Sequence, residues 1–390
     1  MLGDKRFLRS IRLRNILSFG PDTPELELKS LNVLIGPNGS GKSNLIDAIS
    51  LLQAAPTNLF DPIRYGGGIA EWLWKGVERA PSAEIEASLS VPQIDLPLRH
   101  TFQFSMIGQR AVLADEAIRD NVNQFYGNVD GYPILGVRFD DRSDRIPFTQ
   151  EDLAPNQSVL SQRKDPISYP EVTFLGREYS KIRLFREWGL GRDTPPRKPQ
   201  QTDLPGDFLQ EDAANLAVVL NNMELRSNFT ATLIEHLKEA DGSIIGLSTA
   251  VIGGTIQLFL RYEGLKTPVP ATRLSDGTIR YLHLLAVLCH PDPPPLVCLE
   301  EPELGLHPDL LHKLAELLID ASHRMQLIVT THSDTLVDAL TKVPEAIIVC
   351  EKENGSTKMT RQTREDLAIW LKEYSLGELW RRGQIGGNRW

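Results

Sequence analysis

Cysteine is scarce: Cys289, Cys298 and Cys350 are the only three in 390 residues. All lie in apolar segments without metal-ligand spacing. That excludes a disulfide framework or a cysteine-bound metal and points to reduced, buried thiols of a cytoplasmic protein. No apolar run approaches the roughly 20 residues that span a bilayer, so no membrane association is expected. The opening MLGDKRFLRS lacks the apolar core of a signal peptide. Positive charge is in deficit, with 42 Lys and Arg against 51 Asp and Glu and a net charge of −9. This argues against a general nucleic-acid coat and leaves room for a local basic face. Internal repeats, long heptad runs, and nuclease, protease or metal-binding residue sets are missing as well.

What is present has the composition of a soluble globular protein, 41% hydrophobic and 24% charged, enough for a buried core. The length suits two lobes or one domain with a large insertion. RFLRSIRLRNILSFG (6–20) mixes basic and apolar residues and reads as a strand and a loop. ELELKSLNVLIG (25–36) gives two strands, the second apolar almost throughout, as a strand buried on both faces would be. GKSNLIDAISLLQAA (41–55) sets Leu45, Ile46, Ile49 and Leu52 at helical spacing. A loop with RYGGG follows; Trp72 and Trp74 in EWLWKG read as packing residues rather than a base-stacking platform. Residues 83–140 alternate apolar and polar, which predicts an antiparallel sheet. From 172 to 240 the pattern is helical, in EYSKIRLFREW, DAANLAVVLNNM and FTATLIEHLKEA. A polar, proline-rich stretch at 191–207 interrupts it and is expected to be a mobile loop. Two strands, SIIGLSTAVI and TIQLFLRYEG, precede a last third in which helices and strands alternate. The whole predicts an α/β fold, one parallel-sheet core built from both ends of the chain with the middle inserted.

Four stretches carry chemistry. GPNGSGKS (Gly36, Pro37, Asn38, Gly39, Ser40, Gly41, Lys42, Ser43) is a complete phosphate loop between an apolar strand and a helix. Its glycines let backbone N–H groups curl around phosphate oxygens, and the helix N-terminus adds its dipole. Lys42 would bridge the β- and γ-phosphates of ATP, and the Ser43 hydroxyl would ligate Mg²⁺. VCLEEPELGLHP (297–308) ends an apolar strand in two adjacent carboxylates, a placement that costs free energy without a cation opposite. Glu300 would face the magnesium, and Glu301 would polarise the attacking water. VTTHS (329–333) ends another apolar strand in His332, within reach of the γ-phosphate. RLSDGTIR (273–280) opens an apolar helix, so a hydroxyl, free N–H groups and the helix dipole converge there. An ordinary capped helix explains that stretch equally well by itself.

Taken in order, phosphate loop, long insertion, LSDGT, LVCLEEPELGLHP and TTHS resemble the ABC-type ATPase heads of the chromosome-maintenance, RecF-like and overcoming-lysogenization-defect class, in particular its stand-alone AAA-type members. The N-terminal IRLRNILSFG and C-terminal SLGELWRRGQIGG share that group's character, so the likeness covers about 1–55 and 265–385. It implies an α/β P-loop NTPase fold of ABC-ATPase head type, a mixed sheet flanked by helices with a large inserted α+β lobe. The head would comprise 1–55 and 265–390, with 56–140 an antiparallel part and 141–264 an inserted, mainly helical lobe. It also implies that Ser275 and Gly277 bind the γ-phosphate held by a second subunit, that Glu301 and Lys42 are catalytic, and that His332 is the switch histidine. ELGLHP would be the D-loop, with His307 where transporters commonly have aspartate.

There are three departures from that pattern: Ser-Asp-Gly-Thr stands for Ser-Gly-Gly-Gln, Glu300 for aspartate, and the Q-loop glutamine is unplaced, with Gln53 and Gln103 as candidates. The expected activity is slow ATP hydrolysis with Mg²⁺ in a head-to-tail homodimer, open to higher assembly. The insertion is too short for coiled-coil arms, and about forty residues after AIIVCEK leave no room for a Toprim nuclease. The resemblance therefore implies a switch acting on a separately encoded effector, a nuclease or toxin, in anti-phage defence. The alternative is a RecF-like repair ATPase holding DNA across the dimer. For that role the available cations are Lys5, Arg6, Arg9, Arg12 and Arg14, with Lys181, Arg183, Arg186, Arg192, Arg197 and Lys198. A transporter subunit is opposed by the insertion and the signature. Arg12, Asn15, Phe19 and Asn38 are near enough to be weighed for adenine contact, and none is assigned.

Overall fold

A computed structural model describes residues 6–78, 81–91, 96–129, 132–139, 142–147, 154, 156–189, 191–226 and 229–387. Its centre is a six-stranded mixed sheet in the spatial order Arg183–Phe185, Leu296–Glu300, Gln326–Thr330, Leu31–Ile35, Ile347–Glu353, Ser356–Arg361. The first five run parallel and the last returns as an antiparallel hairpin. Side-chain alternation divides this sheet between two cores. Val33, Ile35, Val297, Leu299, Leu327 and Val329 face one, with the helices Asp276–Leu288 and Leu311–Ser322. Leu34, Leu296, Cys298 and Ile328 face the other, with the helix Lys42–Ala54 and the second sheet. Leu45, Ile46, Ile49 and Leu52, the residues at helical spacing, are all fully buried there. Each such side chain contributes roughly 1.5–3 kcal/mol.

The second sheet has eight antiparallel strands, seven of them ordered along the chain from Leu8–Arg14 through Ala83–Leu89 to Arg142–Pro147. Gln326 bolts it to the central sheet. This fully buried side chain accepts from Leu8 N at 2.8 Å and donates to Leu8 O at 2.7 Å and Lys29 O at 3.0 Å. A third, smaller sheet pairs Ile244–Ile252 with Thr255–Tyr262 and packs on the helices Leu216–Arg226 and Phe229–Ala240.

Three local expectations are corrected. EYSKIRLFREW is not one helix: the helix Pro170–Tyr179 ends, and Arg183–Phe185 is a strand beside Val297–Leu299. The cause is tertiary, since Leu184 enters one core and Phe185 the other, which a strand between two layers requires and a helix does not supply. The stretch 191–207 is anchored rather than mobile, because Arg197 is 5% exposed and donates to Leu274 O and Ala271 O. The loop with RYGGG holds two short helices, Asp61–Tyr65 and Ile69–Trp72, and Trp72 is buried. Cys298 and Cys350 are buried and Cys289 is half-buried; all three are free. No helix among the described residues is long and apolar enough to cross a membrane.

Candidate active site

The C-terminal ends of the parallel strands converge on one edge, where an open α/β sheet presents its ligands. Strand Leu31–Ile35 turns through Gly36–Gly41 into the helix Lys42–Ala54. Gly41 has φ +99° and stands against Thr357 and Ser18, with no space for a Cβ. Thr357 Oγ1 lies 3.0 Å from Ser40 O, and Asn44 Nδ2 donates to Ser18 Oγ at 2.7 Å. These contacts fix the loop from behind. Lys42 Nζ folds onto the loop, donating to Gly36 O at 2.8 Å and Pro37 O at 3.0 Å. Burial lowers its pKa, while the carboxylates of Glu301 and Glu300 pull the other way. The buried Ser40 Oγ has no hydrogen-bond partner. Asn38 and Gly39 are exposed at the loop's crown.

Strand Leu296–Glu300 brings the carboxylates. Ser43 Oγ donates to Glu300 Oε1, so the hydroxyl and the first carboxylate meet directly. Glu301 has φ +46°, a left-handed backbone unusual for a side chain of this size. Its N–H donates to Thr330 O at 3.0 Å. His332 Nε2 stands 3.6 Å from Glu301 Oε1. Lys42, Ser43, Glu300, Glu301 and His332 therefore share one locus. The oxygen pair of Ser43 and Glu300 is the donor type a hard divalent cation takes, and the glycine-rich turn into the N-terminus of the helix Lys42–Ala54 is the cradle a phosphate takes, so these residues fit Mg²⁺ and a triphosphate.

Ser275 and Gly277 are elsewhere. Ser275 caps the helix Asp276–Leu288, its Oγ accepting from Thr278 N at 3.0 Å. With Gly305 and His307 they line an open groove of about 640 Å³ that no residue of 36–43 lines. A Cβ on Gly277 would stand 3.0 Å from Gly305 O, so the missing side chain allows the 301–307 loop to approach.

Neither Q-loop candidate faces the site. Gln53 donates to Ile182 O and Glu211, and Gln103 to Glu84. Of the residues weighed for the base, Phe19 is buried in the core, Arg12 is paired with Glu25 and Glu86, and Asn15 donates to Ser82 O. The basic residues considered for DNA are largely neutralised. Arg6 pairs with Glu27, Arg14 with Glu84, Lys181 with Glu178, Arg186 with Asp47, Arg197 with Asp276 and Lys198 with Asp193. Lys5 lies outside the described residues.

Four residues around the site escaped sequence reasoning. Glu303 Oε1 accepts from Thr331 Oγ1 at 2.6 Å and His332 N at 3.0 Å, and burial raises its pKa. Its signal was the third carboxylate of EEPE. Trp188 Nε1 donates to Glu300 O at 2.8 Å, Arg186 Nη1 to Asp47 Oδ1 at 2.5 Å, and Arg280 Nη2 to Glu301 O. No sequence pattern singles out Trp188 or Arg280, and Arg186 entered only among the cations weighed for DNA.

The family model described as "AAA domain, putative AbiEii toxin, Type IV TA system" matches residues 31–106 and 132–338. An "ATP/GTP phosphatase" of Helicobacter pylori is 20% identical over 347 residues, 86% of this chain and 88% of that one. The "Chromosome partition protein Smc" of Mycobacterium tuberculosis is 33% identical over 101 residues, 24% of this chain and 8% of that one. Among solved structures, an Smc head bound to the C-terminal winged-helix domain of ScpA superposes with a TM-score of 0.60 at 15% identity, covering 92% of this chain and 99% of that one. A Pyrococcus furiosus Smc head with an extended coiled coil, bound to the C-terminal domain of ScpA, gives 0.58 at 14% identity, covering 94% and 99%. The fold is that of an ABC-type ATPase head.

Proposed function

The chain belongs to this AAA-domain family of P-loop ATPases, and from that premise we propose that it hydrolyses ATP between two copies of itself and uses the closing and reopening to control an effector. The observation that carries the reading is a division of parts. Lys42, Ser43, Glu300, Glu301 and His332 meet at one sheet edge, while Ser275 and Gly277 line a separate groove. A second copy is what would bring the two sets together.

In that arrangement the triphosphate sits on the N–H groups of 38–43 at the helix N-terminus. Lys42 leaves its two loop carbonyls for the β- and γ-oxygens. Ser43 and Glu300 would hold Mg²⁺, which supplies charge neutralisation on the phosphates. Glu301 accepts a proton from water as the water oxygen bonds to the γ-phosphorus. The bond from that phosphorus to the β–γ bridging oxygen breaks, and ADP and phosphate leave. His332, beside Glu301 and held by Glu303 through its backbone N–H, aims at the γ-oxygens. Ser275 of one copy donates to the γ-phosphate held by the other.

The effector is a separately encoded nuclease or toxin and the setting is defence against phage; the family resemblance supports both. DNA held across the dimer has less support, because the cations available for it are mostly engaged by neighbouring carboxylates. The test is light scattering of the Glu301→Gln variant with and without a non-hydrolysable ATP analogue. The expected result is a nucleotide-dependent dimer, lost on adding Lys42→Ala, with hydrolysis down at least about 10²-fold in Glu301→Gln. A monomer under both conditions, or hydrolysis at the wild-type rate, refutes the reading.

A further inference from the structure

The helix that begins at Ser275 carries, one turn on, the side chain of Arg280, which is 2% exposed. Arg280 reaches back under the end of the carboxylate strand. Its Nη2 donates to Glu301 O and its Nε to Pro302 O at 3.3 Å. Its guanidinium carbon stands 4.3 Å from the centre of the Trp188 ring, and the same indole donates to Glu300 O at 2.8 Å. The main-chain carbonyls of Glu300, Glu301 and Pro302 are thus all held by two side chains from other segments. Between them Glu301 carries its left-handed φ of +46°. Such a conformation costs of order 1–3 kcal/mol and persists only where its surroundings over-determine it. Burial lowers the Arg280 pKa to about 10, which leaves it charged at neutral pH. A buried cation that makes backbone contacts and stacks on an indole is an expensive way to fill space.

We propose that Arg280 is a positioning residue that ties the aim of Glu301 to the position of the helix Asp276–Leu288. The inference rests on the reading above, in which Glu301 is the base and Ser275 meets the nucleotide held by the other copy. Engagement of that helix by one nucleotide is then transmitted through Arg280 to the base of the second site. The two pockets of a dimer do not fire independently, and the linkage is reciprocal for nucleotide binding.

The experiment uses the full chain with Arg280→Lys, Arg280→Ala and Trp188→Phe. A wild-type control comes first, for ATP-driven association and hydrolysis. If it shows neither, the functional reading fails and takes this role with it. If it shows both, kcat in Arg280→Lys is expected to fall about 10²-fold, the cost of a base misplaced by about 1 Å. Nucleotide Kd and nucleotide-driven dimerisation should stay within about threefold, with the Hill coefficient for ATP falling toward one. Added guanidinium should restore activity to Arg280→Ala, and methylammonium should not. Trp188→Phe, which keeps an aromatic surface and loses the bond to Glu300, should show a smaller kcat loss and unchanged affinity. It also serves if Arg280→Ala does not fold. Wild-type kcat in Arg280→Lys overturns the assignment alone. So does a loss that tracks weakened binding and lower Tm without guanidinium rescue.

Discussion

Asp276 occupies the place where related signatures carry glycine, and its contacts say why. Oδ1 accepts from Arg197 Nη2 at 2.5 Å and Gly191 N at 3.2 Å. Arg197 also donates to Leu274 O at 2.5 Å, so one buried guanidinium clamps the start of the helix Asp276–Leu288. The perturbation is Asp276→Ala. A hydrogen bond to a charged group contributes about 1.5–3 kcal/mol. The Asp276 side chain is 53% exposed, so water replaces part of what is lost. Arg197 keeps its carbonyl partners, which spares it the full penalty of an unpaired buried charge. About 1.5 kcal/mol is therefore expected, measured by urea unfolding. Arg197→Met and the double variant complete a cycle with a coupling of about 1 kcal/mol. The Arg197 hydrogen bond, first, and then Gly191 N–H hold the Asp276 carboxyl below the usual range. Stability from a depressed carboxyl is present above its unfolded pKa of about 3.9 and is lost as pH falls through the folded value. Variant and wild type should then converge in acid. A coupling within about 0.3 kcal/mol of zero, or a difference independent of pH down to about 2, refutes the reasoning.

Other outcomes follow from buried polar groups. Gln326→Leu removes the side-chain partner of Leu8 N and Leu8 O, while Lys29 O keeps its bond from Asn32 Nδ2 at 2.6 Å. At about 1–3 kcal/mol for each of the two stranded groups, a loss of roughly 2–5 kcal/mol is expected in urea; a loss below about 1 kcal/mol sinks the view that Gln326 joins the two sheets. His283 is buried on the helix Asp276–Leu288, and its pKa is pulled down to about 3, chiefly by burial and also by Arg280. It is neutral in the fold and takes up a proton only on unfolding, so stability falls as pH drops below about 6.5, by about 1.4 kcal/mol per pH unit. His283→Leu should remove that slope between pH 6 and 4, and identical slopes in the two proteins count against it.

The sequence made the site legible where chemistry and local structure coincide. Gly36–Ser43 is contiguous, and its flanking strand and helix confirm it. Glu300, Glu301 and His332 each follow an apolar run, and the C-terminal end of a buried parallel strand is where a polar side chain can meet a ligand. Illegible were contacts whose partners are backbone carbonyls far away in the chain. Arg280 reads as one polar residue in an apolar helix, and Trp188 as the end of a helical pattern. The strand Arg183–Phe185 was misread because three residues carry no period, and pairing with Val297–Leu299 decides their conformation. Arg197 lay in a proline-rich stretch whose composition suggested mobility, and its anchoring depends on carbonyls more than 70 residues away.

The misread segment also accounts for how three carboxylates can crowd one strand end. Glu300, Glu301 and Glu303 would repel one another in the absence of cations. Lys42 approaches from the phosphate loop, and its attraction to Glu301 and Glu300 opposes the lowering that burial imposes. Arg280 stands beneath and feels Glu303 and Glu301 in the same way. Arg186, directly after the strand Arg183–Phe185, neutralises Asp47 on the phosphate-loop helix, so that carboxylate adds little to the crowd. Lys42 lies on the side toward the loop but is held there by Gly36 O and Pro37 O, while Arg280 bonds the main chain at Glu301 and Arg186 bonds Asp47. Bringing a bare triphosphate to that side would add negative charge where Glu300 and Glu301 already stand. A divalent cation, were Ser43 and Glu300 to hold one, would reverse the sign of that encounter. The charge pattern of the strand end is therefore one that a metal-bound nucleotide would meet more favourably than a free one.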